Sequence, residues 1–275
     1  MTTSSATKST LGHATEYCDQ YNPDLLFPIS RQENRTELGI DSAALPFHGL
    51  DIWTAYEVSW LNAKGKPEVR VAEFAFMADS PNLIESKSFK LYLNSFNGTR
   101  FNNEDEVLAL LHKDLAKACG DSVAVDFKRH EGHELTFGDL PGENLDELDI
   151  EVTEYQVNAS LLKANPAHEV SETLNSHLLK SNCLVTHQPD WGSVVISYAG
   201  AKIDHESLLQ YIISFRNHNE FHEQCVERIY TDIMNQCQPS ELTVYARYVR
   251  RGGLDINPYR SNCEDEFDLS RTIRQ

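Results

Sequence analysis

Long hydrophobic runs are missing from this sequence of 275 residues. No apolar stretch approaches the roughly 18 to 20 residues that a membrane-spanning helix needs. The first segment, Met1 to Thr10, is polar and rich in Ser and Thr, and it lacks the basic start and apolar middle of a secretion signal. We therefore expect a cytoplasmic protein with no membrane partner.

Cysteines are sparse and scattered, since the chain has six, at positions 18, 119, 183, 225, 237 and 263. No pair has CxxC spacing, and a disulfide framework or a zinc knuckle would need closer clustering. We expect reduced thiols and no metal.

Positive charge is also in short supply, because 24 Lys and Arg residues face 42 Asp and Glu residues, a formal net charge of -18. Such a surface repels nucleic acid on average. An anionic ligand therefore needs a local basic region, and Glu241–Arg260, with four arginines, is one such place. On these residues alone, a solvated basic strand end explains that region equally well.

The glycine motifs of nucleotide-binding folds are absent. The sequence has neither GxGxxG nor GxxxxGK[ST]. This excludes the usual Rossmann crossover and the P-loop as the cofactor site.

What the chain does contain is an internal repeat. The segment Ile84–Phe96 (IESKSFKLYLNSF) resembles His205–Phe215 (HESLLQYIISF), which sets Glu85 against Glu206 with register slips of a residue or two. Each copy continues through a polar loop containing Phe into a second amphipathic segment that ends in Cys. These second segments are Glu104–Cys119 and His222–Cys237, with Asp114 and Asp232 at matching places.

Strand patterns precede and follow the paired helices in both copies. The predicted strands are Asp51–Asn62, Glu68–Ala78 and Ser122–Lys128 in the first copy, and Leu174–Thr186, Ser193–Tyr198 and Leu242–Val249 in the second. The turns between the first two strands are predicted at Lys64–Pro67 and Gln188–Gly192. The repeated unit is strand, strand, helix, helix, strand and a further strand, which predicts an α+β fold with antiparallel sheets and helices on one face.

The two copies are joined by a segment, residues 130–162, that has no Lys or Arg and is dense in carboxylates between residues 131 and 151. We interpret it as a surface connection followed by a strand. The predicted domains are therefore residues 1–145 and 146–275.

Cys183 and Asp190 are the first candidates for chemistry. A thiol becomes a nucleophile where a base or an electropositive setting favours the thiolate. The bend predicted at Gln188–Gly192 would bring Asp190 back toward Cys183. On the residues alone, Cys183 is more simply a small core residue and Asp190 a turn residue.

His222, Glu223 and Glu85 are the acid–base candidates, because each begins a predicted helix. His222 can donate a proton near neutral pH, and a carboxylate can accept hydrogen bonds from an amide-like ring edge. Helix capping and a favourable first-turn charge explain both glutamates equally well. His222 and Cys225 could also ligate a metal together with Cys183.

Four motifs taken together resemble one family, the nitrile reductases of queuosine biosynthesis, in the long two-module form of 7-cyano-7-deazaguanine reductase. The motifs are ESKSFKLY at residues 85–92, SNCLVTHQPDWG at 181–192, FHE at 221–223 and RRGGLDINP at 250–258. The resemblance covers nearly the whole chain beyond the polar start, and it implies two tandem ββααββ tunnelling-fold (T-fold) modules that assemble through homodimers.

The resemblance also implies roles. Cys183 matches the nucleophile that forms a covalent thioimide with the nitrile, and Asp190 matches the proton donor, with His222 as a proton source for a later step. The residues matching the deazaguanine pocket are Ile84, Glu85, Ser86, His222 and Glu223. The residues matching contacts to the co-substrate NADPH are Ser86, Lys87, Arg251 and Gly252.

Three other functions remain open to the same residues. Water attack on a thioimide would give a nitrile hydrolase. Cys183, His222 and Cys225 around zinc would give a metal-dependent pterin or purine hydrolase. A binding protein for a purine-like ligand would need no chemistry at all.

Overall fold

The computed structural model describes residues 17–128, 137–263 and 271–275. The predictions for the polar start and for the first part of the acidic segment fall outside these ranges. Within them, no helix is both long and apolar enough to cross a membrane. The described residues form two compact units: a first unit of residues 17–44, 50–128 and 250–255, and a second unit of residues 45–49, 137–249, 256–263 and 271–275.

The first unit is built on an antiparallel ladder in the order β6, β3, β2. Strand β5 adds a short parallel pairing to β2, and β1 pairs antiparallel with β4. The elements are β1 (Pro28–Ser30), α1 (Arg31–Leu38), β2 (His48–Asn62), β3 (Pro67–Met77), β4 (Asn82–Ile84), α2 (Ser86–Asn94), β5 (Arg100–Phe101), α3 (Glu104–Cys119) and β6 (Val123–Lys128).

Large aromatic side chains fill the core of the first unit. Trp53 on β2 and Phe74 on β3 both meet Phe89 of α2 edge-on, with ring centroids 5.1 Å apart in each case. Apolar residues that alternate along β2 and β3 therefore pack against α2.

The predicted Lys64–Pro67 turn is confirmed: Gly65 has a φ of 82°, which favours glycine, and its N–H donates to the Asn62 carbonyl.

The second unit has a longer antiparallel ladder in the order β12, β11, β10, β8, with a short parallel pairing of β7 to β8. Strand β9 pairs with the start of β10. The elements are β7 (Glu143–Asn144), β8 (Ala164–Ser176), β9 (Lys180–Asn182), β10 (Pro189–Ile203), α4 (His205–Ser214), α5 (His222–Cys237), β11 (Glu241–Tyr248) and β12 (Leu254–Ser261).

The α+β class is confirmed, and so is the order strand, strand, helix, helix, strand in each half, with the further strand of the second half present as β12. Two details were wrong. The single strand predicted at Leu174–Thr186 is two strands, β8 and β9, because β8 ends at Ser176. The turn predicted at Gln188–Gly192 lies earlier, since β10 already begins at Pro189 and the chain reverses between Cys183 and Gln188.

The predicted repeat is confirmed by matching contacts. Tyr92 donates to Asp114 over 2.8 Å in the first unit, and Tyr211 donates to Asp232 over 2.7 Å in the second. Sequence reasoning matched the two aspartates but not the tyrosines. A buried hydroxyl–carboxylate bond between the paired helices is thus a shared device of both units.

The register of the repeat at the first helix needs correction. Glu85 caps α2 by accepting from the N–H groups of Lys87 and Ser88, and Asp204 caps α4 by accepting from the N–H of Ser207. Glu85 therefore corresponds to Asp204, not to Glu206 as the sequence alignment suggested. A capping residue is defined by its position just before the first helical turn, whereas an alignment by residue type alone can be out of register by one or two positions.

Candidate active site

Strand β9 organises the candidate residues of the second unit. On one side it pairs antiparallel with β10, with Ser181 opposite Asp190. On the other side, the N–H of Asn182 donates to the His218 carbonyl over 2.8 Å, and the N–H of Glu220 donates to the Asn182 carbonyl over 3.1 Å. The three-residue strand thus holds the segment before Cys183, the start of β10 and the segment before α5 side by side.

Cys183 and Asp190 lie on the same face of this hairpin. The N–H of Cys183 donates to the Gln188 carbonyl over 2.8 Å, so the ladder continues one step beyond β9. Ser181 and Cys183 are two residues apart and so share a face, and Asp190, opposite Ser181, shares that face. Cys183 is half-buried and Asp190 is buried. A diagonal pair of this kind can reach a small electrophile from two sides.

His222 begins α5 and faces the same carboxyl group. Its Nε2 lies 3.6 Å from Oδ1 of Asp190, within ion-pair range but beyond hydrogen-bond length. Its ring packs on Tyr248 of β11, with centroids 4.1 Å apart. The structure therefore places Cys183, Asp190 and His222 around one hairpin.

Glu223 is not a helix cap. The N-cap of α5 is Phe221, which makes no side-chain capping bond, and Glu223 follows in the first turn with almost no solvent exposure. Burial of a carboxylate costs free energy unless it is well partnered. Capping is thus wrong for Glu223, but the interpretation of Glu223 as a favourable first-turn charge is confirmed.

Glu220 belongs to this site and was missed by sequence reasoning. Its carboxylate is buried and accepts from Arg228 over 3.0 and 2.8 Å. It also lies 2.9 Å from Nε2 of His218. Burial alone would raise the pKa of Glu220, but the hydrogen bonds from His218 and Arg228 outweigh it and hold that pKa below its usual value. No local pattern in the sequence marked this pair.

Glu85, in the first unit, does cap a helix, so the capping interpretation is confirmed there. Its two oxygens accept from the N–H groups of Lys87 over 2.6 Å and Ser88 over 2.8 Å. Burial nevertheless raises the pKa of the Glu85 carboxyl, against the opposing effect of these bonds and of the nearby lysines. Ile84, which ends β4, is buried beside it. A desolvated carboxylate at this position suits a ligand that brings further donors.

Basic side chains lie near the glycine turn of the first unit. Arg251 and Leu254 close this turn through reciprocal backbone hydrogen bonds, and Gly252 has a φ of 60°. A Cβ at Gly252 would lie 3.4 Å from Cδ of Lys90, so that lysine packs against the turn. Ser86 and Lys87 at the start of α2 add a hydroxyl group and positive charge that an anion could meet, whereas the N–H groups of Lys87 and Ser88 are already bonded to Glu85. Lys90 was not predicted from the sequence.

Nothing among the described ranges supports a metal centre. No group of three His, Cys, Asp or Glu side chains there could hold a metal ion. Cys225, the third ligand of the zinc alternative, is fully buried, and burial raises its pKa well above the usual value for a thiol. A neutral, enclosed thiol is a poor zinc ligand.

The comparisons with known proteins cover both units. Residues 17–127 match the family profile described as nitrile reductase, 7-cyano-7-deazaguanine-reductase N-term, and residues 189–266 match the profile described as QueF-like protein. Three curated relatives, each called NADPH-dependent 7-cyano-7-deazaguanine reductase, match nearly end to end. They are from Hydrogenovibrio crunogenus (66% identical, 99% of each chain), Chromobacterium violaceum (58%, 97% of this chain and 96% of the relative) and Dechloromonas aromatica (58%, 97% and 95%). The chain therefore belongs to the family of the NADPH-dependent 7-cyano-7-deazaguanine reductases.

Proposed function

We propose that this chain reduces the nitrile of 7-cyano-7-deazaguanine to an aminomethyl group with two molecules of NADPH, a step of queuosine biosynthesis and thus of tRNA modification. The names and high identity of the relatives support the reaction. The placement of Cys183, Asp190 and His222 around the β9–β10 hairpin is the observation that carries the proposal, because a thiol, a carboxyl group and an imidazole are what nitrile reduction requires.

Cys183 is the proposed nucleophile. A nitrile carbon accepts hydride poorly, because direct attack would leave an unprotonated nitrogen anion. Addition of the Cys183 sulfur forms a C–S bond and turns the triple bond into C=N, while Asp190 gives a proton to the nitrogen. The proton released from the Cys183 thiol then replaces the one that Asp190 donated. The net step adds S–H across the nitrile and gives a thioimide.

His222 is the proposed proton source for the second half of the reaction. NADPH supplies a hydride to the carbon in each half. Loss of the C–S bond returns the sulfur to Cys183 and leaves an imine, whose nitrogen must gain protons to become the amine. His222 lies 3.6 Å from Asp190, so a small approach of the two side chains would form the hydrogen bond through which a proton passes between them.

Glu223 and Glu85 are each proposed to accept hydrogen bonds from the amino group and ring N–H of the deazaguanine. Both carboxylates are buried, so folding has already desolvated them and ligand binding does not have to. Ile84 and Ser86 flank Glu85 in the chain, and His222 precedes Glu223. These five residues are the proposed substrate-binding set.

The anionic part of NADPH is proposed to bind at Ser86, Lys87, Arg251 and Gly252. The residues fit this ligand: Lys87 and Arg251 carry positive charge, and the lack of a side chain at Gly252 lets Lys90 approach the turn. A cation beside the extra phosphate would select NADPH over NADH.

The finer architecture is also part of the proposal. We infer that the two halves, residues 1–145 and 146–275, are tandem T-fold modules and that the protein works as a homodimer in the cytoplasm. The repeated Tyr–Asp bond and the repeated cap support a common module. Its acidic surface argues against direct binding of nucleic acid.

Intact-protein mass spectrometry tests the function. Protein mixed with 7-cyano-7-deazaguanine in the absence of NADPH should gain the mass of the nitrile, and Cys183→Ala should gain none. Cys18→Ala, which removes another half-buried thiol, is the matched control and should still form the adduct. An adduct on Cys183→Ala would remove this residue from the mechanism. With NADPH present, two molecules should be oxidised per product; release of ammonia without oxidation would identify a hydrolase instead.

A further inference from the structure

Tyr248 is a buried residue that the proposed mechanism does not use. It ends β11, is fully enclosed, and lies opposite Gly192 in the ladder of β10 and β11. A Cβ at Gly192 would come within 3.1 Å of two atoms of the Tyr248 ring. The absence of a side chain at position 192 therefore leaves the space in which this ring lies.

The Tyr248 ring closes a circuit of four neighbouring side chains. It packs on His222 at 4.1 Å between ring centroids. His222 lies 3.6 Å from Asp190, and Asp190 is paired across the strands with Ser181. Ser181 in turn interacts electrostatically with the Tyr248 hydroxyl, beside the thiol of Cys225. Asp190 and His222 are the proposed proton donors, whereas Tyr248 and Ser181 have no role in the proposed mechanism.

Three polar atoms of this circuit are buried without a hydrogen bond of good geometry: Oγ of Ser181, Nε2 of His222 and the hydroxyl oxygen of Tyr248. Most buried polar groups form at least one such bond, so three in one place are unusual in a stable core. Burial raises the pKa values of both Tyr248 and Cys225 well above their usual values, so both are neutral at physiological pH. The hydroxyl of Tyr248 is therefore available as a neutral donor and acceptor.

We propose that Tyr248 and Ser181 are positioning residues for His222. Tyr248 packs on the imidazole and Ser181 interacts with the Tyr248 hydroxyl, and together they fix the orientation of the imidazole toward Asp190 and the substrate nitrogen. An imidazole serves as a proton donor only when the correct nitrogen points at the acceptor, and the groups that pack on the ring help to decide that orientation. The Tyr248 hydroxyl interacts with Ser181, so it holds in place the ring on which the imidazole packs. This inference rests on the proposed function, since it assigns how His222 is held for that reaction.

A double-mutant cycle tests the inference, because a residue that acts through His222 should matter little once His222 is gone. Tyr248→Phe keeps the ring and removes only the hydroxyl. General acid–base catalysis contributes roughly 10²–10⁴-fold, and a misoriented donor should lose a part of that. We expect Tyr248→Phe to lower kcat roughly tenfold with the KM for the nitrile nearly unchanged, and to have less than about a twofold effect in the His222→Ala background. Initial rates of NADPH oxidation are measured with the nitrile in excess and at raised enzyme concentration for the slow variants, so that kcat and KM are obtained for each.

Tyr211→Phe is the matched control. It also removes a buried tyrosine hydroxyl, which donates to Asp232 over 2.7 Å in the same unit. Its effect on kcat should be the same with and without His222. If the effects of Tyr248→Phe and His222→Ala simply multiply, or if Tyr248→Phe reacts like the wild type, the positioning role is refuted.

Two further measurements keep the outcomes separate. Ser181→Ala removes the hydroxyl on β9 that interacts with Tyr248, and it replaces Tyr248→Phe in the cycle if that variant does not fold. The nitrile adduct on Cys183 should form in Tyr248→Phe as in the wild type, since it precedes the step assigned to His222. If the wild type itself forms no adduct and oxidises no NADPH, it is the proposed function that fails; if the wild type does both and the cycle is additive, only this inference fails.

Discussion

Replacing Glu220 with Gln should destabilise the protein strongly, although it exchanges only a carboxylate oxygen for an amide nitrogen. Glu220 has 4% of its surface exposed and accepts two hydrogen bonds from Arg228, while His218 lies 2.9 Å from the same carboxylate. The segment they hold, 218–220, is also the one that pairs with Asn182 of β9. The neutral amide keeps the shape but leaves the guanidinium facing a partner without charge.

The size of the effect follows from the burial of the two partners. Breaking a buried ion pair by removing one charge costs about 3–5 kcal/mol. The Arg228 side chain keeps 20% of its surface exposed, so water compensates it in part, and we expect the lower end, about 3 kcal/mol. For a chain of this size, 1 kcal/mol corresponds to roughly 2–4 °C in Tm, which predicts a decrease of about 6–12 °C.

The same pair gives the effect a pH dependence of known sign. The pKa of Glu220 is lower in the folded protein than its usual value, so ionised Glu220 stabilises the fold above pH 4.5, the usual value. That contribution is lost as the pH falls through the lower pKa of the folded state. The difference in stability between the wild type and Glu220→Gln should therefore be full at pH 7 and shrink on acidification below pH 4.5.

Thermal unfolding at a series of pH values measures both expectations. The matched control is Glu104→Gln, which breaks the 2.6 Å bond from Nε of Arg70 to a carboxylate that is 26% exposed, compared with 5% for the Glu220 side chain. Water can replace part of what a solvent-accessible carboxylate loses, so this variant should lose clearly less, at most a few degrees. Equal decreases in Tm for the two variants, or a difference that grows on acidification, would show that burial of the Glu220 pair does not govern its energy.

Two further predictions concern the same part of the second unit. Gly192→Ala should destabilise the protein by about 1–3 kcal/mol, because the added methyl group would lie 3.1 Å from the enclosed Tyr248 ring, which cannot move away; an unchanged Tm would contradict the packing described here. In the native protein, iodoacetamide should modify Cys183 but not Cys225, since burial keeps the Cys225 thiol neutral and inaccessible, and the nitrile substrate should protect Cys183; peptide mapping that finds both residues labelled at equal rates would contradict it.

Secondary structure was predictable wherever local patterns and packing agree. The Lys64–Pro67 turn, the helices Glu104–Cys119 and His222–Cys237, and the strands on either side follow from periodicity and turn residues. The strand predicted at Leu174–Thr186 failed because apolar periodicity does not show where a strand is interrupted. The turn predicted at Gln188–Gly192 failed because Pro, Asp and Gly favour turns, while a proline is tolerated as the first residue of a strand, which is where Pro189 lies.

The candidate site was predictable only in part, for a physical reason. The family motifs supplied Cys183, Asp190, His222 and Glu223, which lie in two short stretches of sequence. The residues that hold them could not be found in this way, because Tyr248 meets Ser181 across 67 positions of the chain. Contacts of that kind depend on which strands become neighbours, and no local pattern encodes that.

The β9–β10 hairpin breaks several local rules at once, and this supports a functional role independently of the family resemblance. Asp190 and Gly192 are poor strand formers within β10, and His187 adopts a left-handed φ of 56°. Four buried polar atoms without a hydrogen bond of good geometry lie in or against this hairpin, on Ser181, Thr186, His222 and Tyr248. At roughly 1–3 kcal/mol each, these groups cost a substantial share of the stability of an ordinary protein. The β2–β3 hairpin at the matching place of the first unit instead has a regular glycine turn. Since the two units share their framework, the framework does not require the irregularities of the second hairpin, and this supports the reactive site proposed there.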